Sequence, residues 1–194
     1  MESGVLATAG AEIYWQAHGA GPAIVLAHGI GGNHAIWYRQ LDALSRSNRV
    51  ITFDHRGFGL SQDHDGRGRD AFVDDLVALL DHLGEAKVAL VGQSMGAGTC
   101  IGFAHRAAER VAALAICDSL HGIAESSEVK AIMDGARAKA AAMGQVERVL
   151  GAGAPHELAA LYRQIASFNA VDRHSLVGSF DARPAADLGD KGFP

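Results

Sequence analysis

The chain has 194 residues, of which 48% are hydrophobic and 20% are charged, and this is enough apolar material for the core of one globular domain. A formal net charge of −5, without any cluster of Lys and Arg among aromatic residues, argues against nucleic-acid binding and favours a small neutral or apolar substrate. The amino terminus does not resemble a signal peptide and no apolar run approaches a membrane-spanning length, so we expect a soluble cytoplasmic protein.

The first part of the chain predicts an antiparallel hairpin and then a buried strand. Residues 5–8 and 12–16 are short strand-like runs joined by a turn. Residues 23–27 form a continuous apolar run, which is typical of a strand covered on both faces. A glycine-rich loop at 28–32 follows, and the apolar spacing over about 36–46 predicts an amphipathic helix.

The next segments continue to alternate between strand and helix. We expect strands at 49–53, 87–91 and 111–117, and helices at 70–83 and 95–108. Asp70 is the expected cap of the first of these helices, and Gly84 closes it. Strands that alternate with helices at short intervals predict a parallel sheet covered on both faces.

The character of the sequence changes after residue 120. Strand-like runs give way to alanine-rich helical segments, so we expect a core over 1–120, a helical lid over 121–181 and a short tail over 182–194. Cys100 falls in a predicted helix and Cys117 in a predicted strand. Both are expected to be small buried hydrophobic residues, without a disulfide framework.

The main functional signal is the pentapeptide Gly92-Gln93-Ser94-Met95-Gly96. A serine in a Gly-x-Ser-x-Gly sequence between a strand and a helix lies on a tight turn with its hydroxyl exposed. The glycines leave room where β-carbons would crowd a strained backbone. The bare pattern also arises by chance, but the flanking strand and helix favour Ser94 as a catalytic nucleophile.

Three ordered motifs resemble those of the α/β-hydrolase family. They are the His28-Gly29 loop, the run Asp54-His55-Arg56-Gly57-Phe58-Gly59-Leu60-Ser61, and the Ser94 pentapeptide. The chain looks closest to the lid-bearing branch that includes 3-oxoadipate enol-lactonases, carbon–carbon bond hydrolases, small esterases and cofactor-free haloperoxidases. The resemblance implies an α/β fold, with a mostly parallel, doubly covered sheet of the α/β-hydrolase type and a helical lid.

The resemblance also implies a mechanism and the roles of several residues. The serine attacks a carbonyl carbon, and two backbone amides, at Met95 and Ile30, hold the oxyanion. The histidine of the His-Gly pair shapes its loop, so His28 is expected to be structural and not the catalytic base. By the same resemblance, Asp54, His55 and Arg56 brace the loop that follows their strand.

In this family the catalytic acid and histidine follow the serine in the chain. The last strands, which would carry these two residues, are missing from the pattern, so the resemblance implies a chain truncated at its carboxyl end. Asp118 is the remaining candidate acid, with capping or loop bonding as its alternative role. The later histidines are His105, His121, His156 and His174. None of them matches the family's catalytic histidine, although His121 is placed where it could approach the site.

Two functions remain open. The first is a serine hydrolase of a small ester, lactone or activated ketone, impaired by the loss of its acid and base; the second is a non-catalytic binding or interaction protein. We expect no cofactor and no metal, because the chain has no Gly-x-Gly-x-x-Gly, phosphate-loop or His-Glu-x-x-His motif. If the sheet ends at 111–117, its exposed edge predicts self-association.

Overall fold

A mixed sheet forms the centre of the computed structural model, which describes residues 1–122, 126–151 and 153–169. The strands are β1 (Glu2–Thr8), β2 (Ala11–His18), β3 (Ala23–Ala27), β4 (Arg49–Phe53), β5 (Gln62–Asp63), β6 (Val88–Gln93) and β7 (Val111–Cys117). They follow the order β1-β2-β4-β3-β6-β7, and β5 pairs with β2. The four strands β4, β3, β6 and β7 are parallel, whereas β2 is antiparallel to its neighbours. The predicted mostly parallel α/β sheet is confirmed.

Helices connect the parallel strands and continue after the last one. They are α1 (Tyr38–Leu44), α2 (Phe72–His82), α3 (Met95–Arg106), α4 (Ser127–Ala141), α5 (Gln145–Leu150) and α6 (His156–Ser167). Short 3₁₀ turns at His34–Trp37 and Gly68–Ala71 precede α1 and α2. The prediction of Asp70 as a cap is wrong, because Asp70 lies inside the second turn and Ala71 occupies the cap position of α2.

The two faces of the sheet are buried against different helices. Val25 and Ile51 face a large apolar cluster that includes Leu76 of α2 and Phe103 of α3. Their neighbours in sequence face the other way, into a smaller cluster with α1 and the turn before it. Each fully buried aliphatic side chain stabilises the fold by about 1.5–3 kcal/mol. This alternation explains why the central strands are apolar at nearly every position.

The strand β7 is much more exposed than the other parallel strands. It pairs with β6, and no second strand pairs with it among the described residues. Ile116 is 38% exposed and Cys117 is exposed, so the prediction that Cys117 is buried is wrong. Cys100 is buried as predicted, and burial raises the pKa of its thiol to about 12.

The described residues after β7 form helices without strands. No side chain of α4 is buried, and Ile132 on this helix is 71% exposed. In contrast, α6 buries Ala159 and Ile165. The predicted tail over 182–194 lies outside the described residues. Within the described part of the chain, no helix has the length and apolar character needed to cross a membrane.

Candidate active site

Ser94 lies on the turn between β6 and α3, where the sequence predicts a nucleophile. Its φ of 50° and ψ of −114° place a residue with a β-carbon in a region that costs about 1–3 kcal/mol. The Ser94 N–H donates to the carbonyl of Cys117 at 3.0 Å, and the Ser94 carbonyl accepts from the Ala97 N–H at 3.0 Å. The Ser119 hydroxyl donates to the same carbonyl at 3.2 Å. The surrounding backbone therefore holds the strained turn on both sides of the serine.

Glycines allow three backbone segments to meet at this turn. A β-carbon at Gly96 would overlap the carbonyl oxygen of Ala27 in β3, and one at Gly92 would lie 2.6 Å from the Cα of Ala97. A β-carbon at Gly29 would lie 3.1 Å from the Cβ of Ser94. The loop after β3 is therefore packed directly against the serine.

The two predicted oxyanion donors lie on the two segments that meet at Ser94. Met95 is the first residue of α3, and Ile30 follows Gly29 in the loop after β3. The side chains of both residues pack in one apolar cluster with Phe58 and Phe72. The Met95 side chain is buried, whereas the Ile30 side chain is partly buried against the cluster.

Two buried histidines lie behind the loop after β3. His28 Nδ1 is 2.8 Å from the carbonyl oxygen of Gly29, and His28 Nε2 accepts from the backbone N–H of His55 at 3.0 Å. The two rings also approach at 3.1 Å, and His55 Nε2 is 3.0 Å from the hydroxyl of Thr99 on α3. Burial lowers the pKa of His28 and holds the pKa of His55 well below its ordinary value. The geometry agrees with a structural role for His28 and His55.

Asp54 braces the loop after β4 from a buried position. Its carboxylate accepts from the backbone N–H groups of His34 at 2.6 Å and of Leu60 at 2.8 Å. His34 Nδ1 lies 2.9 Å from the same carboxylate. A β-carbon at Gly59 would overlap this carboxylate, so glycine is required at the turn.

Arg56 connects the same loop to α2. Its guanidinium makes two hydrogen bonds of 2.7 Å to the buried carboxylate of Asp75 and one of 2.8 Å to Asp65. The Thr8 hydroxyl donates to the same Asp75 carboxylate at 3.1 Å. The buried charge of Asp75 is thus paired and hydrogen-bonded, as a buried carboxylate must be to persist.

Asp118, the candidate acid, follows β7 at the same edge of the sheet as Ser94. It is exposed and has a φ of 48°, and it is the second non-glycine residue with a positive φ in the part of the chain that the structure describes. Aspartate tolerates this conformation better than most residues because its side chain bonds locally. Its backbone therefore has the geometry of a turn.

His121 lies close to the turn that carries Ser94, but its ring is oriented toward other groups. A β-carbon at Gly98 would lie 3.0 Å from His121 Cδ2. The ring nitrogens are 2.8 Å from the Ser119 hydroxyl and 3.3 Å from the Arg69 guanidinium. Since the guanidinium can only donate, His121 Nε2 accepts and Nδ1 carries the proton. Burial and the charge of Arg69 lower the pKa of His121.

The other candidate histidines lie at exposed helix positions or outside the described residues. His105 is near the end of α3 and His156 begins α6, and both are exposed. His174 lies outside the described residues. Across residues 1–122, 126–151 and 153–169, no histidine ring is hydrogen-bonded to the Ser94 hydroxyl, and no group of three or more candidate ligands could hold a metal ion.

Two asparagines join the end of α6 to the loops around the serine. Asn33 is buried and donates to the carbonyl of Ile165 at 2.8 Å. The side chain of Asn169 accepts from the Gly59 N–H at 3.0 Å and donates to the Gly32 carbonyl at 3.1 Å. Sequence reasoning missed both residues. The only local signal was Asn33 in front of a helical turn, where its side chain accepts from the Ala35 N–H.

The sheet order, the strained serine between β6 and α3, and the braced loops after β3 and β4 define one class of enzyme fold. The chain belongs to the α/β-hydrolase family, whose model, described as the alpha/beta hydrolase fold, matches residues 22–160.

Individual relatives include proteins named as hydrolases and lactonases. A provisionally named carbamate hydrolase, RutD, of Azorhizobium caulinodans is 35% identical over 107 residues, which cover 55% of this chain and 40% of that protein. The 3-oxoadipate enol-lactonase 1 of Acinetobacter baylyi is 32% identical over 98 residues, which cover 50% of this chain and 37% of the lactonase. The alignments thus span about two fifths of each of these relatives.

A solved enol-lactonase extends the similarity to most of this chain. The enzyme from Burkholderia xenovorans LB400 matches with a TM-score of 0.69 and 28% identity. The match covers 95% of this chain and 75% of the lactonase chain.

Proposed function

We propose that the chain is a serine hydrolase that acts on a small ester, lactone or activated ketone through an acyl-serine at Ser94. The observation that carries the proposal is the serine's strained backbone at the end of β6, with Gly29 packed against it. Such strain persists where the surrounding structure over-determines it, and it is concentrated at functional sites. The enol-lactonases among the relatives support the substrate class.

In the proposed reaction the Ser94 oxygen attacks the substrate's carbonyl carbon while a base takes the hydroxyl proton. The carbonyl electrons move onto oxygen, and the backbone amides of Met95 and Ile30 donate to the resulting oxyanion. Collapse of this intermediate breaks the bond to the leaving group, which takes the proton from the base. Water then hydrolyses the acyl-serine by the same steps.

The two amides stabilise the oxyanion well only if their positions are fixed before the reaction. Each donor of this kind lowers the barrier by about 3 kcal/mol. The Met95 amide begins the twelve-residue helix α3, so the helix dipole adds a partial positive charge at the same place.

The proposed activity depends on a base that can take the proton of the Ser94 hydroxyl. His121 Nε2 accepts from Arg69, so its basic nitrogen is not directed at Ser94 in this conformation. Asp118 is the proposed acid because it follows β7 at the carboxyl edge of the sheet. With no histidine bonded to the Ser94 hydroxyl among the described residues, we expect turnover to be slow, with the oxyanion donors supplying about a thousand- to ten-thousand-fold over water.

Labelling and turnover test the proposal together. The full chain, Ser94→Ala and Ser126→Ala would be treated with a fluorophosphonate and assayed with p-nitrophenyl acetate and butyrate. Ser126→Ala removes a hydroxyl from the cap of α4 and serves as the matched control. We expect label in the unmodified chain and the control but not in Ser94→Ala, and we expect turnover in Ser94→Ala to be slower than in the other two chains. Equal background in all three chains would contradict the proposal.

The alternative is a protein that keeps the fold in order to bind a small molecule without reaction. It is favoured by the orientation of His121 toward Arg69 and Ser119. Under this alternative, a lactone or ester would protect the chain against thermal unfolding, and Ser94→Ala would bind it as tightly as the unmodified chain does.

We also propose that a second copy of the chain covers the outer edge of β7. An edge strand with apolar side chains and unpaired backbone groups favours pairing with another strand, and Ile116 and Cys117 are both exposed on β7. Alkylation of Cys117 should slow as protein concentration rises, in step with a larger mass in light scattering. A monomer at all concentrations with constant alkylation would contradict this association.

A further inference from the structure

A buried chain of hydrogen bonds runs from α3 to the loop that holds Ile30. It connects the Thr99 hydroxyl, the rings of His55 and His28, and the carbonyl of Gly29. All three side chains are buried. The proposed reaction uses none of these groups directly, so their arrangement requires a separate explanation.

The backbone sets the direction of the bonds in this chain. The His55 N–H can only donate, and it lies 3.0 Å from His28 Nε2, so that nitrogen is an acceptor. Burial disfavours the charged form of both rings, and a neutral ring carries a single proton. The proton of His28 is therefore on Nδ1, where it donates to the Gly29 carbonyl at 2.8 Å.

The same reasoning extends to the second ring. His55 Nδ1 lies 3.1 Å from His28 Nε2, whose single lone pair already accepts from the His55 N–H. An unprotonated His55 Nδ1 would bring two lone pairs together, so we place the His55 proton on Nδ1, where the two donors share the acceptor. Its Nε2 is left as an acceptor, and the Thr99 hydroxyl donates to it at 3.0 Å. The bonds thus run in one direction, from Thr99 through the two rings to Gly29.

The last bond in the chain controls a peptide group beside the serine. The carbonyl of Gly29 accepts from His28 Nδ1 and from the Gly32 N–H at 3.0 Å. In a trans peptide the carbonyl and the following N–H point in opposite directions. With the carbonyl held on the buried side of the loop, the N–H of Ile30 is directed to the opposite side.

We propose that Thr99 is a positioning residue that acts through His55 and His28 to aim the Ile30 amide beside Ser94. Thr99 belongs to the helix that begins with Met95, so this series of hydrogen bonds connects the two proposed oxyanion donors. The assignment rests on the proposed function only for the role of the amide in the reaction. The proton positions on the two rings and their effect on Ile30 stand independently of activity.

The test compares the full chain with Thr99→Val and Thr99→Ser. Valine has nearly the shape of threonine but cannot donate, whereas serine keeps the hydroxyl. Long-range proton–nitrogen NMR spectra report which nitrogen of each imidazole is protonated, and the Ile30 amide resonance reports its orientation. The rate of fluorophosphonate labelling at Ser94 is measured on the same samples.

We expect both rings of the unmodified chain to carry their protons on Nδ1. In Thr99→Val the His55 signals and the Ile30 amide resonance should shift, and labelling should slow about tenfold, equivalent to the loss of about one hydrogen bond. Thr99→Ser should restore the spectra and bring labelling to within about twofold of the unmodified chain.

Two results would overturn the inference. One is an Nε2 proton on either ring in the unmodified chain, and the other is an Ile30 resonance that does not change in Thr99→Val. A different result would count against the proposed function alone. If the unmodified chain resists labelling while both rings and the Ile30 amide behave as expected, the positioning by Thr99 is supported and the hydrolase activity is not.

Discussion

The loops after β3 and β4 and the segment formed by β7 and α4 are held very differently. Behind the loops, the charges of Asp54 and Arg56 are buried and bonded to several partners. On α4 the ion pair of Lys130 and Asp134 is exposed, and no side chain of the helix is buried. The strained serine thus lies next to the region in which the charged side chains are buried and paired.

The largest contrast between the two regions is expected from removal of a charge. Arg56→Met leaves the Asp75 carboxylate buried without its main partner, so the free energy of unfolding should fall by about 3–5 kcal/mol in urea titrations. Lys130→Met breaks an exposed pair on α4 and should leave unfolding unchanged within error. Similar losses in the two variants would show that the loops are not held by this buried pair.

A glycine substitution should change stability in opposite directions in the two regions. In Gly96→Ala the new β-carbon overlaps the Ala27 carbonyl, and the free energy of unfolding should fall by about 1–3 kcal/mol. Gly135 lies in α4 with open space around it, so Gly135→Ala should raise stability by up to about 1 kcal/mol through helix propensity. Thermal unfolding midpoints measure both effects. A tolerated alanine at position 96 would contradict the close packing of α3 on β3.

Acid should weaken the braced loops through their histidines. His28 and His55 have lowered pKa values in the folded protein, so the unfolded chain binds more protons once the pH falls below about 6.5, the ordinary value for histidine. This stabilisation is therefore complete above that pH and is lost as the pH falls from there toward the lowered pKa of each ring, by at most about 1.4 kcal/mol per pH unit for each ring.

Urea titrations at pH 7.5, 6.5 and 5.5 measure this dependence on pH. His55→Gln should reduce the change in the free energy of unfolding per pH unit by the contribution of one ring. A free energy of unfolding that stays constant from pH 7.5 to 5.5 would contradict the neutral, buried state of the two rings.

The smallest expected effect comes from the strain at the serine itself. Ser94→Gly removes the β-carbon at a positive φ, whereas Ser94→Ala keeps it, so the glycine variant should be more stable by about 1 kcal/mol. At Ser127, in the first turn of α4, the order should reverse because glycine is the poorer helix former. Differential scanning calorimetry of the four variants checks both orders, and the same order at both positions would argue against strain at Ser94.

Local patterns in the sequence were sufficient to predict much of the fold. The apolar run of β3 indicates a strand buried on both faces because it is continuous, and the short apolar stretches in β4 and β6 indicate strands as well. The position of Ser94 on a tight turn follows from glycines only two residues away on either side. By contrast, the strand β5 has only two residues, which are too few to form a periodic pattern that predicts a strand.

The partners of the polar side chains could not be predicted in this way. Asp54 and His34 are 20 residues apart, and Asn33 and Ile165 are 132 residues apart, so only the folded chain brings them together. The error at Cys117 has a related cause. Exposure of a strand depends on whether another strand lies beside it, and a strand's own sequence carries no record of that neighbour.

The bonds of Asn169 have a mechanical consequence. The Asn169 side chain is hydrogen-bonded to the Gly59 N–H and to the Gly32 carbonyl, and thereby ties the end of α6 to both loops. A tilt of α6 about this pivot must pull on Gly32, which is two residues from the proposed oxyanion donor at Ile30. A displacement of α6 is therefore coupled to the alignment of the Ile30 amide.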